Sequence, residues 1–156
     1  MPHPKSSSHV RFAAVGDIHV HKDAAGTLRS FFAQAADEAD ALLLCGDLTD
    51  YGTAEEAKVL AEELGAVPIP VVAVLGNHDY ESGTPELVSE ALTHAGVSVL
   101  DGAACEIEGV GIAGAKGFAG GFGRGSLGGW GEPAIKLFVQ EAVNGAMKLE
   151  SGLAQL

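Results

Sequence analysis

Val72–Glu81 reads VAVLGNHDYE: an apolar run stops at Gly76, and an amide, an imidazole and a carboxylate follow at once. Such a junction is either a polar turn closing a buried strand or the rim of a site. The flanking sequence decides between them. VRFAAVG ends at Gly16 and ALLLCG ends at Gly46, so Gly16, Gly46 and Gly76 recur every 30 residues. One strand with its crossover helix occupies about 30 residues. The intervening residues differ, so the spacing marks successive βα units rather than a sequence repeat. Strands in such units run parallel and deliver their C-terminal ends to one edge, where ligand sites of open α/β sheets gather.

The segments between the glycines have helical signals. In TLRSFFAQAADEAD, Leu28, Phe31, Phe32 and Ala35 fall at helical spacing. In TAEEAKVLAEELG, Thr53 and Glu56 form a capping box and Gly65 is the expected stop. In TPELVSEALTHAG, Thr84 is the expected N-cap, Pro85 the first helical residue and Gly96 the stop. Past Gly96, VSVL, ACEIEG and VGIAG read as short strands. Residues 114–131 hold nine glycines in 18 positions, a flexible or ligand-covering loop. EPAIKLFVQEAVNGAMKLE reads as a last helix with Pro133 near its start. Residues 1–8 read as a flexible tail and 9–156 as one α/β domain with a βαβαβ core of parallel strands.

Composition narrows the function classes. The 156 residues are 47% hydrophobic and 19% charged, a globular balance. A net charge of −12 argues against nucleic acid as a partner. It leaves room for a small phosphorylated substrate, because a local cation outweighs the global sign. The first residues lack the apolar core of a secretory signal and no run is long enough for a membrane span, so a cytoplasmic location is expected. Cys45, inside ALLLCGD, is expected to be a small core thiol. Trp130 is expected to anchor its loop in the core, against the alternative of packing over a substrate. Arg124 is a candidate substrate contact against the simpler reading of a solvated loop cation. No G-K-[ST] follows the glycines, which ranks nucleotide binding by a phosphate loop last.

Three polar tips follow the three strands: Asp17-Ile18-His19, Asp47-Leu48-Thr49-Asp50 and Asn77-His78-Asp79. One Gly-Asp after a strand is ordinarily a turn or a helix cap. Three at the same phase of consecutive βα units point to a shared site. Two carboxylates with an imidazole and an amide oxygen suit a divalent ion of the Mn, Fe or Zn kind. Asp50 and Asp79 are candidates to orient ligands or water, and His21 stands close enough to join them.

GDIH, GDLTD and GNHD together resemble the first three motifs of the calcineurin-like metallophosphoesterases, in order, over about residues 10–80. The resemblance implies the N-terminal part of a two-sheet sandwich flanked by helices, with a dinuclear metal site. It implies that Asp17 and His19 bind the first ion, that Asp47 bridges both and that Asn77 binds the second. His78 would contact the phosphoryl group and protonate the leaving oxygen, while a metal-held hydroxide attacks in line. The hydrolysed substrate would be a phosphate mono- or diester.

The family's later Gly-His and Gly-His-x-His motifs are absent. The six histidines are His3, His9, His19, His21, His78 and His94, and His94 reads as a helix-end residue. The chain therefore reads as truncated at the C-terminus, with three of four expected protein ligands at the first ion and two of four at the second. Weak binding at the second position and low turnover are expected of it. Self-association through an incomplete sheet is a further expectation. The alternative function is a non-catalytic metal-binding or interaction module that keeps a half site.

Overall fold

The computed structural model describes residues 9–118 and 123–156, so the tail expected over 1–8 and part of the glycine-rich segment lie outside the described residues. Strands β1 (Phe12–Val15), β2 (Ala41–Cys45), β3 (Val71–Val74) and β4 (Ser98–Val99) form one parallel sheet in the order β1-β2-β3-β4. Phe12 pairs with Ala41, and Leu42 with Val71. Helices α1 (Arg29–Glu38), α2 (Ala54–Leu64) and α3 (Pro85–His94) make the crossovers. The sheet order is sequential, so crossovers of one hand place all three helices on one face. Phe32, Leu60 and Leu92 accordingly share a core with Leu42, Leu44 and Ala73.

The alternate strand residues face the other way. Ala41, Val72 and Leu100 pack there against Ile107, with Phe12, Leu43 and Val74 alongside. That layer is supplied by an antiparallel hairpin, β5 (Ala103–Ile107) and β6 (Val110–Gly114). Its two-residue turn places Glu108 at φ 50° and Gly109 at φ 81°, the left-handed pair that a tight hairpin demands. Helix α4 (Pro133–Leu153) lies against the hairpin. A Cβ at Gly152 would lie 2.9 Å from the Ala103 carbonyl oxygen, so the missing side chain permits that approach.

Several sequence expectations need correction. Cys45 is exposed, because it lies on the face that the hairpin serves and at a strand end where no buried partner covers it. Trp130 is 78% exposed and anchors nothing in the core. Gly65 caps α2 in a right-handed conformation (φ −60°, ψ −16°), so it ends the helix without the left-handed turn. Gly96 does adopt that turn, at φ 90°. Thr84 precedes α3 but its side chain makes no capping bond, and its hydroxyl pairs instead with Ser82 at 2.9 Å. His94 ends α3 and its Nδ1 meets the Glu90 carbonyl at 2.7 Å. Among the described residues, no helix is long and apolar enough to cross a membrane.

The capping box at α2 is formed in full. Thr53 Oγ1 accepts from the Glu56 amide, and Glu56 Oε2 accepts from the Thr53 amide at 3.1 Å and the Tyr51 amide at 3.0 Å. Thr53→Ala removes one half of this exchange and is expected to cost about 1 kcal/mol in a urea-unfolding measurement.

Candidate metal centre

Among the described non-glycine residues only Asp17, His19, Asp47 and Glu108 have positive φ, at 54°, 42°, 50° and 50°. Glu108 belongs to the hairpin turn. The other three follow β1 and β2, where a left-handed backbone costs roughly 1–2 kcal/mol per residue unless its surroundings enforce it. Here they do. The loops after β1 and β2 continue side by side past the strands: Asp17 donates its amide to Gly46 O at 3.0 Å, His19 to Asp47 O at 3.1 Å and Val20 to Leu48 O at 2.9 Å. The loop after β3 presses on the same place. A Cβ at Gly46 would come within 3.1 Å of Gly76 Cα, and one at Gly76 would overlap the Asp47 amide nitrogen and Oδ1. The glycines that punctuate the sequence therefore let Asp47 lie across the end of β3.

The third loop is a single 3-10 turn, His78–Tyr80. The His78 amide donates to Asp47 Oδ1 at 3.0 Å. His78 Nδ1 lies 2.7 Å from the Asp50 carbonyl, which only accepts, so Nδ1 carries a hydrogen. Nε2 is then the nitrogen left for chemistry. The Asp50 carbonyl is also the main reason that the His78 pKa is raised above 6.5. Desolvation opposes it, and the charges of Asp47, Asp50 and Glu81 add to it.

Asp79 is wholly buried and faces backbone. Oδ1 accepts from Leu48 N at 3.1 Å, Thr49 N at 2.8 Å and Thr49 Oγ1 at 2.6 Å, while Oδ2 accepts from Gly76 N at 2.8 Å. It is a clamp between the second and third loops.

The ligand atoms of His19, Asp47 and His78 lie within 4.8 Å of one another, in a half-buried group drawn from all three strand ends. The two imidazoles meet edge to face at 4.4 Å. His19 Nδ1 is buried without a hydrogen-bond partner, and the nearest acid, Asp50 Oδ1, stands 3.5 Å away. An orphaned imidazole nitrogen beside carboxylates is a donor set that fits a divalent cation. A second group comprises His21, Asp50 and Glu56, again within 4.8 Å. Asp50 stands between the two, with Oδ2 3.5 Å from His21 Nδ1.

The remaining sequence candidates fall as follows. The Asp17 carboxylate belongs to neither group, although its backbone is held in the same ladder. Asn77 is exposed and opens the third-loop turn. Arg124 is exposed on the short turn Gly123–Gly125. Two residues escaped the sequence reading. Glu56 is legible only as a helix cap, and the fold that brings it near His21 has no sequence signal. Lys116 Nζ stands 5.1 Å over the Tyr80 ring, next to the third loop, and its one cue is a lone cation among glycines.

The fold and this edge define an α/β domain with a histidine–carboxylate centre built on three consecutive strand ends. The family model of calcineurin-like phosphoesterase matches residues 10–118, and the chain belongs to that family. No curated protein matches the chain.

Two outcomes are expected of the metal-free chain. By NMR titration, His78 should protonate with a midpoint above 6.5. Asp50→Asn should lower that midpoint only in part, because the main cause is a main-chain carbonyl that the substitution leaves in place. Asp79→Asn turns an amide group toward donors and should cost about 2–4 kcal/mol by urea unfolding.

Proposed function

We propose that the chain is a metal-dependent phosphoesterase that hydrolyses phosphate mono- or diesters of a small substrate. The observation that carries this is the convergence of His19, Asp47 and His78 from three successive strand ends. Strained backbone at Asp17, His19 and Asp47 supports it, since such strain collects at functional sites. Asp17, His19, Asp47 and Asn77 would hold two divalent ions of the Mn, Fe or Zn kind, with Asp47 shared. When bound, such ions polarise phosphoryl oxygens and lower the pKa of water toward about 7.

This chain's own residues do the rest. His78 is fixed by its Nδ1 bond to the Asp50 carbonyl, so Nε2 faces outward as a proton donor to the leaving oxygen. In the metal-free chain the same carbonyl raises its pKa, which favours the protonated ring. The Asp47 carboxylate, accepting from the His78 amide, keeps the acid and the bridging ligand in register. Asp50 stands 3.5 Å from His19 Nδ1 and, through its other oxygen, 3.5 Å from His21 Nδ1, a carboxylate beside both rings.

The test is manganese content and hydrolysis of aryl phosphate mono- and diesters by the chain and two variants. Asp47→Ala should lose metal and activity together. His78→Ala should keep metal and lose about 100-fold or more in kcat. Loss of metal from His78→Ala would make His78 a ligand rather than the acid. Unchanged hydrolysis in that variant, or bound metal with no hydrolysis in any form, would favour the non-catalytic metal-binding module.

A further inference from the structure

A second cluster of ligand-type side chains lies beside the main centre. The ladder between the first two loops continues past Asp47: Val20 bridges Thr49 in parallel, and the Asp50 amide donates to Val20 O at 3.3 Å. That register brings His21 beside Asp50. The chain then turns into α2, and Glu56 folds back over the turn, with Oε2 accepting from the amides of Tyr51 and Thr53. Glu56 is 4% exposed, and its Oε1 makes no hydrogen bond among the described residues. One ligand atom each of His21, Asp50 and Glu56 lies within 4.8 Å of the others. His21 Nδ1 and Asp50 Oδ2 are 3.5 Å apart, long for a hydrogen bond. Two ligands of one tetrahedral zinc, each at about 2.1 Å, stand about 3.4 Å apart.

We propose that His21, Asp50 and Glu56 form a divalent-cation site, separate from the ions assigned to Asp17, His19, Asp47 and Asn77, with zinc as its best-fitting metal. Three protein ligands of imidazole and carboxylate type leave the fourth position of zinc open. Manganese, below zinc in the affinity order of such donors, would be held there more weakly. A cleft of about 810 Å³ lined by His21 and Glu56 gives an ion access. Asp23 and Glu55 line the same cleft. Lys22 lines it too but makes no ion pair among the described residues, so it does not neutralise these acids. Glu55 and Glu56 occupy the first turn of α2, where two full negative charges outweigh the roughly half positive charge of the helix end. The capping box accounts for Glu56 Oε2, but it makes no use of Oε1, His21 or Asp50. Asp50 joins the two centres, since its other oxygen stands 3.5 Å from the orphaned His19 Nδ1.

The test is zinc titration of the full chain carrying Asp47→Asn, which weakens the main centre and keeps a residue that tolerates the left-handed backbone. Calorimetry reads the affinity, NMR reads the histidine rings, and circular dichroism shows that each variant is folded. One equivalent of zinc should bind and shift the His21 ring. An outer-shell partner alone is worth roughly 10- to 100-fold in metal affinity, so adding His21→Ala should cost at least about tenfold. Glu56→Gln should also cost at least about tenfold, with the fold retained, because glutamine serves a capping box as glutamate does. His94→Ala, exposed at the end of α3, should leave zinc binding unchanged. Failure of the Asp47→Asn chain to bind zinc would overturn the proposal. So would binding indifferent to His21→Ala, which would place the ion on other histidines or on the exposed Cys45. Neither result bears on whether the chain hydrolyses phosphoesters, so the site and the proposed activity stand or fall separately.

Discussion

The Asp79 carboxylate is the tie on which the site's geometry depends. It accepts from the amides of Leu48 and Thr49 on one loop and of Gly76 on the other, and no basic side chain among the described residues is a hydrogen-bond partner. A buried carboxylate without donors is costly, whereas one that collects several N–H groups has its oxygens satisfied and holds those donors in place. Leu48 and Thr49 directly follow Asp47, so the clamp restrains the backbone that carries the bridging candidate. The strain at Asp47 persists because its neighbours on both sides are over-determined, by Asp79 on one and by the approach of Gly76 on the other. From there the first loop follows, since His19 and Val20 hang on the carbonyls of Asp47 and Leu48.

The sheet order explains both what is finished and what is exposed. Sequential strands joined by crossovers of one hand leave one face to the helices and the other to whatever comes later in the chain. The hairpin and α4 fill the second face in part, and Cys45 lies where the filling stops. The same asymmetry leaves α4 with Gly152 as its one buried residue while Leu137, Met147 and Leu153 stay exposed. The site stands at the C-terminal end of the sheet, away from this unfinished layering, so the three strand ends are organised without it.

The strands and crossover helices were legible because each unit repeats the same local grammar: apolar run, glycine, polar tip, capped helix. His19, Asp47 and His78 were legible for the same reason, since parallel strands with phased tips must share an edge. What escaped had no local signal. Asp79 looks like one more polar tip, and only the tertiary approach of Leu48, Thr49 and Gly76 makes it a clamp. Glu56 satisfies a helix cap so well that its nearness to His21 is invisible. Cys45 sits in an apolar run, and an apolar run does not say whether both faces of the sheet are covered at that point. Trp130 was expected to anchor in the core because large aromatics usually do, and a glycine-rich context offers nothing to fix it there.

Charge also bears on how such a site would work. The chain carries a net charge of −12, and the three loops add Asp17, Asp47, Asp50 and Asp79 near the proposed reaction centre. A phosphoryl group brought to that edge meets a negative field. Among the described residues, the side-chain cations beside the third loop are His78 when protonated and Lys116 beyond Tyr80. A protonated imidazole alone is a weak counterweight to several carboxylates and a phosphate. The carboxylates become an asset only if they recruit cations denser in charge than lysine or arginine, which then present a positive face to the substrate. The same acidity that argues against nucleic acid as a partner thus makes divalent ions the natural means by which this edge would accept a phosphate.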